Sequence, residues 1–157
     1  MPAPDLDRFD RAILAILQRD ARTPQRVIGE AVALSAPAVQ RRIRRLEEAG
    51  VIRANVAVVE PALVDRGLTI IVEVELDSER ADRIDAAKRA FLAAPEVQQC
   101  WYVTGEADFV LVVLVATMAD YEALTRRLFF ADANIRKFRS LVAMDRVKTG
   151  LAVPIDP

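Results

Sequence analysis

The chain reads as an α+β protein, with three N-terminal helices carrying a helix-turn-helix, a β-strand linker, and a ferredoxin-like βαββαβ unit. Three observations predict this. Apolar residues recur at helical spacing as far as residue 48. Beyond Gly50 the pattern becomes that of β-branched strands interrupted by two helical segments. Charge changes sign at the same place. Residues 1–53 hold ten Arg against seven Asp or Glu, a net of +3, and the remainder holds twelve basic against sixteen acidic residues, a net of −4.

In LDRFDRAILAILQRDAR, the residues Leu6, Phe9, Ile13, Leu14 and Leu17 follow the i, i+3, i+4 spacing of an amphipathic helix, and Asp7 can cap it. Pro24 suits the first turn of a shorter second helix, with Thr23 as its cap and Val27, Ile28 and Ala31 facing inward. Ala33, Leu34 and Ser35 break the pattern. Ser35 can then cap a third helix to about Glu48, and Gly50 can end it. IRANVAVV has the composition of a strand, and EPALVDRG that of a hinge. The predicted order is then a strand over 68–76, a helix over 78–93, a strand over 97–103, the turn TGEAD, a strand over 109–115, a helix over 118–129 and a strand over 135–144. FVLVVLV is apolar throughout, which predicts burial on both faces. The expected domains are 1–53, a linker over 54–67, and 68–157.

Composition narrows the functions. No histidine occurs, which removes the commonest general base and most transition-metal sites, so neither a metal nor a cofactor is expected. Cys100 has no cysteine partner and is expected to be packed rather than redox-active. The longest apolar run, Phe109 to Ala116, has only strand length, and the acidic N-terminus lacks the pattern of a signal peptide. No membrane partner is expected, and the expected location is cytoplasmic.

The segment SAPAVQRRIRRLEEAGVI places four arginines within residues 41–45 of a nearly neutral chain. Val39, Ile43 and Leu46 form an inner stripe; Pro37, Gln40, Arg41 and Arg44 form an outer one, flanked by Arg42 and Arg45. A solvated basic face paired with Glu47 and Glu48 would explain the charge. The short helix and turn before it favour double-stranded DNA instead: Arg pairs with guanine, Gln with adenine, and flanking Arg with phosphates. The expected DNA-contacting residues are Ser35, Pro37, Ala38, Gln40, Arg41, Arg42, Arg44 and Arg45.

Taken in order, LDRFDRAIL, the turn Ala-Leu-Ser, RRIRRLEEAGVI, EPALVDRG, VTGEAD and SLVAMDRVK resemble the Lrp/AsnC family of transcription regulators over almost the whole chain, Leu6 to about Lys148. The resemblance implies a winged helix-turn-helix domain and a ferredoxin-like ligand domain that dimerises, with dimers assembling to a tetramer or an octamer. It also implies an amino acid or related small molecule that alters assembly or DNA binding. By position the effector loop is Val103, Thr104, Gly105, Glu106, Ala107 and Asp108, with Gly105 and Asp108 matching the family's Gly-x-x-Asp signature. Where members usually have a glycine in the turn, this chain has Ala33, which suggests a right-handed backbone there.

Gly105 can take a positive φ and bring backbone N–H groups to a ligand carboxylate, while Asp108 can pair with an ammonium group. An ordinary hairpin turn capped by Asp108 fits the same residues. Two other functions remain open beside an effector-responsive regulator. One is an architectural DNA-binding protein without effector. The other is an enzyme similar to the sirohaem decarboxylases, disfavoured because those rely on histidines.

Overall fold

Asp7 starts the first helix by accepting the Asp10 N–H, and the Asp10 carboxylate accepts the Asp7 N–H in return, closing a capping box. The computed structural model describes residues 4–156; Met1–Ala3 and Pro157, at the ends of the expected domains, lie outside the described residues. Helix α1 covers Arg8–Leu17, α2 Gln25–Val32 and α3 Ala36–Glu48. Ile13, Ile28, Val32 and Val39 form their core, with Phe9, Leu34 and Ile43 packed around it.

The inner face of α2 differs from expectation. Ile28, Gly29 and Val32 are buried, whereas Val27 and Ala31 point outward, so the helix is turned by about one residue. Pro24 is itself the cap residue, and the Thr23 hydroxyl donates to the Asp20 carbonyl instead. Helix α3 begins and ends as its sequence indicates. Ser35 Oγ accepts the Ala38 N–H, and Gly50 (φ +70°) closes a Schellman motif in which Gly50 N–H donates to Glu47 and Val51 N–H to Leu46.

The linker corrects a second expectation. Residues 53–60 make no strand; Val56, Val58 and Val59 are exposed, and a single 3₁₀ turn, Pro61–Val64, follows. A segment that finds no hydrogen-bonded neighbour among the described residues is not a sheet strand, whatever its β-propensity.

The second unit is built on strands β1 (Leu68–Leu76), β2 (Val97–Tyr102), β3 (Phe109–Val115) and β4 (Ile135–Val142). They form one antiparallel sheet ordered β2-β3-β1-β4, with helix α4 (Ala81–Ala93) crossing from β1 to β2. Helix α5 (Met118–Thr125) joins β3 to β4 and continues as a wider turn, Arg126–Phe130. This is the βαββαβ order, and the fold class is the one predicted. One sheet face presents Ile70, Val72, Val74, Phe109, Leu111 and Val113 to the helices, where the Phe91 ring meets Phe109 edge-on at 5.3 Å. Burial on β3 alternates. Val110, Val112 and Leu114 point to the other face and are only half-buried, so the chain covers one face of β3 rather than two.

The chain forms two compact units, residues 59–148 and residues up to 58 together with those from 149 on. The returning tail was expected in the second domain. It joins the helical unit because Gln18 and Val153 exchange two hydrogen bonds, side-chain amide to carbonyl at 3.0 Å and backbone N–H to amide oxygen at 2.6 Å.

Candidate DNA interface and effector loop

The helix-turn-helix turn is closed by backbone. Ala33 and Leu34 both donate their N–H to the Gly29 carbonyl, and Ala33 adopts φ 56°, ψ 44°. The turn is therefore left-handed, not right-handed as the missing glycine suggested, and an alanine tolerates it at a cost of about 1 kcal/mol. Ala33→Gly should remove that strain and raise the stability of the helical unit by about 0.5–1 kcal/mol, read as a higher denaturation midpoint.

Gly29 is what lets this turn close. A Cβ there would lie far inside contact distance of the Leu34 carbonyl oxygen and 3.6 Å from the Ala36 nitrogen. Sequence reading missed it, because a glycine inside a helical pattern signals only lower propensity.

On α3 the outer stripe is where the periodicity puts it. Ser35, Pro37, Gln40, Arg41 and Arg44 are exposed and Ala38 is half-buried. The flanking arginines behave differently. Arg42 Nη1 donates to Asp7 Oδ2 and to Asp10 Oδ1, both at 2.8 Å, and its guanidinium sits over the Phe9 ring at 5.3 Å. Arg45 Nη2 donates to Asp10 Oδ2. Asp10 has no exposed surface and Arg42 is only 23% exposed, whereas Arg45 is 56% exposed. The two arginines assigned to phosphates from sequence are thus engaged by α1. The partner acids hold Arg42 more firmly protonated than a free guanidinium, the Asp10 hydrogen bond first among the causes. Asp7 is held below its usual carboxylate range, chiefly by the Asp10 N–H and then by Arg42. Asp7 and Asp10 stand 32 or more residues before these arginines, too far for helical spacing to reveal the pairing.

The loop 103–108 is a hairpin connection anchored to β1. Val103 N–H donates to the Asp108 carbonyl, Asp108 N–H to the Val74 carbonyl, and Leu76 N–H to Asp108 Oδ2 at 2.6 Å. Thr104, Gly105 and Glu106 are exposed, while Val103, Ala107 and Asp108 are half-buried. Gly105 has φ +129°, a conformation side chains rarely adopt, although a Cβ there would meet nothing within 4 Å. Asp108 therefore does cap backbone, through one oxygen; Oδ1 takes no bond from the described residues. Beside the loop, Tyr102 packs on Phe109 at 5.1 Å with Lys88 over its ring, and Trp101 lies on the opposite sheet face. Burial pushes the Cys100 thiol up, so it stays protonated. A separate cleft of about 270 Å³ lies at the far end of β3, lined by Arg66, Glu96, Val115, Ala116 and Asp120.

Comparison with known proteins finds a family for each unit, and the ligand-domain match also takes in residues 149–153 of the returning tail. Residues 6–53 match the winged helix-turn-helix DNA-binding family and residues 69–153 the Lrp/AsnC ligand binding domain. An uncharacterized HTH-type transcriptional regulator of Sinorhizobium fredii is 44% identical over 98% of this chain and 91% of its own. The leucine-responsive regulatory protein of Escherichia coli is 33% identical, over 94% of this chain and 90% of its own. Among solved structures, an AsnC family regulator from Agrobacterium tumefaciens superposes with TM-score 0.89 at 33% identity, covering 95% of this chain and 97% of that one. A Neisseria meningitidis transcriptional regulator in complex with L-Met gives 0.88 at 27% identity, covering 96% and 97%. The chain belongs to the Lrp/AsnC family of transcriptional regulators.

Proposed function

We propose that this regulator reads double-stranded DNA with Gln40, Arg41 and Arg44, and that an amino acid bound at the 103–108 loop modulates its assembly or DNA binding. The observation that carries the DNA reading is the exposed Gln40, Arg41 and Arg44 stripe, on a helix whose other arginines are turned toward α1. Ser35, Pro37 and Ala38 bring the amide end of the same helix toward the phosphates. A DNA partner goes with a cytoplasmic location, and no helix among the described residues is long and apolar enough to cross a membrane. Membership of a family of transcriptional regulators supports a role in regulation rather than catalysis.

For the loop, Asp108 Oδ1 faces an ammonium group while backbone N–H groups beside Gly105 take a carboxylate. The Neisseria relative holds L-Met, which supports an amino-acid ligand here. The bond from Leu76 N–H to Asp108 favours a second reading, a plain turn in an effector-free DNA-binding protein. Asp108→Asn separates the two, since Asn can still accept that bond but lacks the charge. Screening the twenty amino acids by thermal shift should find one that raises the wild-type midpoint. Asp108→Asn should keep the fold and lose most of that shift. A full shift in the variant leaves the loop a turn.

The half-covered sheet face, where Trp101, Ile71 and Leu141 are exposed beside Val110 and Val112, supports a homodimer that packs sheet against sheet and assembles further to a tetramer or octamer. Light scattering at micromolar concentration should give at least twice the 17.4 kDa chain mass; a monomer would refute the dimer.

A further inference from the structure

We infer that Asp10 is a positioning residue for DNA readout: its buried carboxylate withholds Arg42 and Arg45 from the phosphates and leaves Gln40, Arg41 and Arg44 as the reading set. The inference rests on the assignment of α3 to DNA. A carboxylate with no exposed surface is tolerated only when paired, and Asp10 spends both oxygens on guanidinium groups and one of them also on the Asp7 N–H. Arg42 is fixed three ways, by Asp10, by Asp7 and by the face of Phe9. Arg42 and Arg45 lie one turn apart on the same side of α3, so the two contacts also fix the rotation of the helix about its axis. Rotation toward Arg42 would replace base-reading side chains with two cations that suit any phosphate. Charge that suits any phosphate adds affinity for every sequence and discrimination for none.

Asp10→Asn keeps the shape and removes the charge. An operator is first selected from a randomised duplex pool with the wild-type chain; affinities for it and for a scrambled duplex are then measured across a salt series. With the scrambled duplex, the variant's log–log salt dependence should steepen by about 0.9 for each arginine released, up to about 1.8 per protomer. Preference for the operator should fall roughly tenfold or more. Asp10→Glu, which restores the charge, should recover part of both. A purely structural role lowers the melting midpoint and leaves the slope of the folded protein unchanged. Should Asp10→Asn not fold, Arg45→Gln leaves Asp10 paired with Arg42; an Arg45 already withheld from the phosphates leaves the wild-type slope unchanged, and a slope flatter by about 0.9 overturns the inference. An unchanged slope in Asp10→Asn overturns the inference. If the wild-type chain selects no operator at all, the DNA assignment of α3 falls, which is a different result from a selective wild type with an unresponsive variant.

Discussion

Gly29→Ala should unfold the helical unit at a temperature well below that of the unaltered chain while leaving the sheet unit as stable as before. The added methyl would collide with the Leu34 carbonyl, a backbone atom inside a closed turn, so no side-chain rotation can relieve it. Opening the turn would also weaken the two hydrogen bonds from Ala33 and Leu34 to the Gly29 carbonyl. Overpacking of this kind costs about 3 kcal/mol, and the better helix propensity of alanine returns about 1. A net loss of about 2 kcal/mol lowers the midpoint of a unit this size by about 8–16 °C. The single tryptophan, Trp101, lies in the sheet unit, so its fluorescence follows that unit while far-ultraviolet dichroism follows both. An early dichroism transition with an unshifted fluorescence transition is the expected result. Coincident, unshifted transitions would mean that the turn backbone can yield.

Arg41→Ala is expected to remove about 1–3 kcal/mol of specific DNA binding, or roughly 5–150-fold, while affinity for scrambled duplex changes far less. Arg41 is exposed, has no partner on α1, and shares its stripe with Gln40 and Arg44. A side chain held bidentate against a base edge loses affinity only where that base is present, whereas a phosphate contact weakens all sequences alike. Competition between operator and scrambled duplex measures the difference directly. Equal losses on both would move Arg41 from base reading to the phosphates.

Local chemistry made most of this architecture legible. The capping residues Asp7 and Ser35, the stop at Gly50, and the alternating and all-apolar strands act within a few residues, and the structure reproduces strands 68–76 and 109–115 residue for residue. Much of what escaped depends on contacts distant in sequence. The partnership of Arg42 and Arg45 with α1 is of this kind, whereas the rotation of α2 is local and escaped because helical spacing does not show Gly29 facing the Leu34 carbonyl across the turn. The β-rich composition of 53–60 misled because propensity describes a preference, and a strand also requires a neighbour. At the loop, the anchoring of Asp108 to Leu76 joins positions 32 residues apart, beyond any local pattern.

The tail that returns to Gln18 makes the helical unit discontinuous along the polypeptide, and this bears on its biosynthesis. Val153 is made 105 residues after Glu48, the last residue of α3. At translation rates of about 5–20 residues per second, the three helices wait roughly 5–20 s for the last piece of their own unit. The sheet unit is synthesised in that interval. A nascent chain therefore completes its DNA-reading half only after its ligand-domain half has been made.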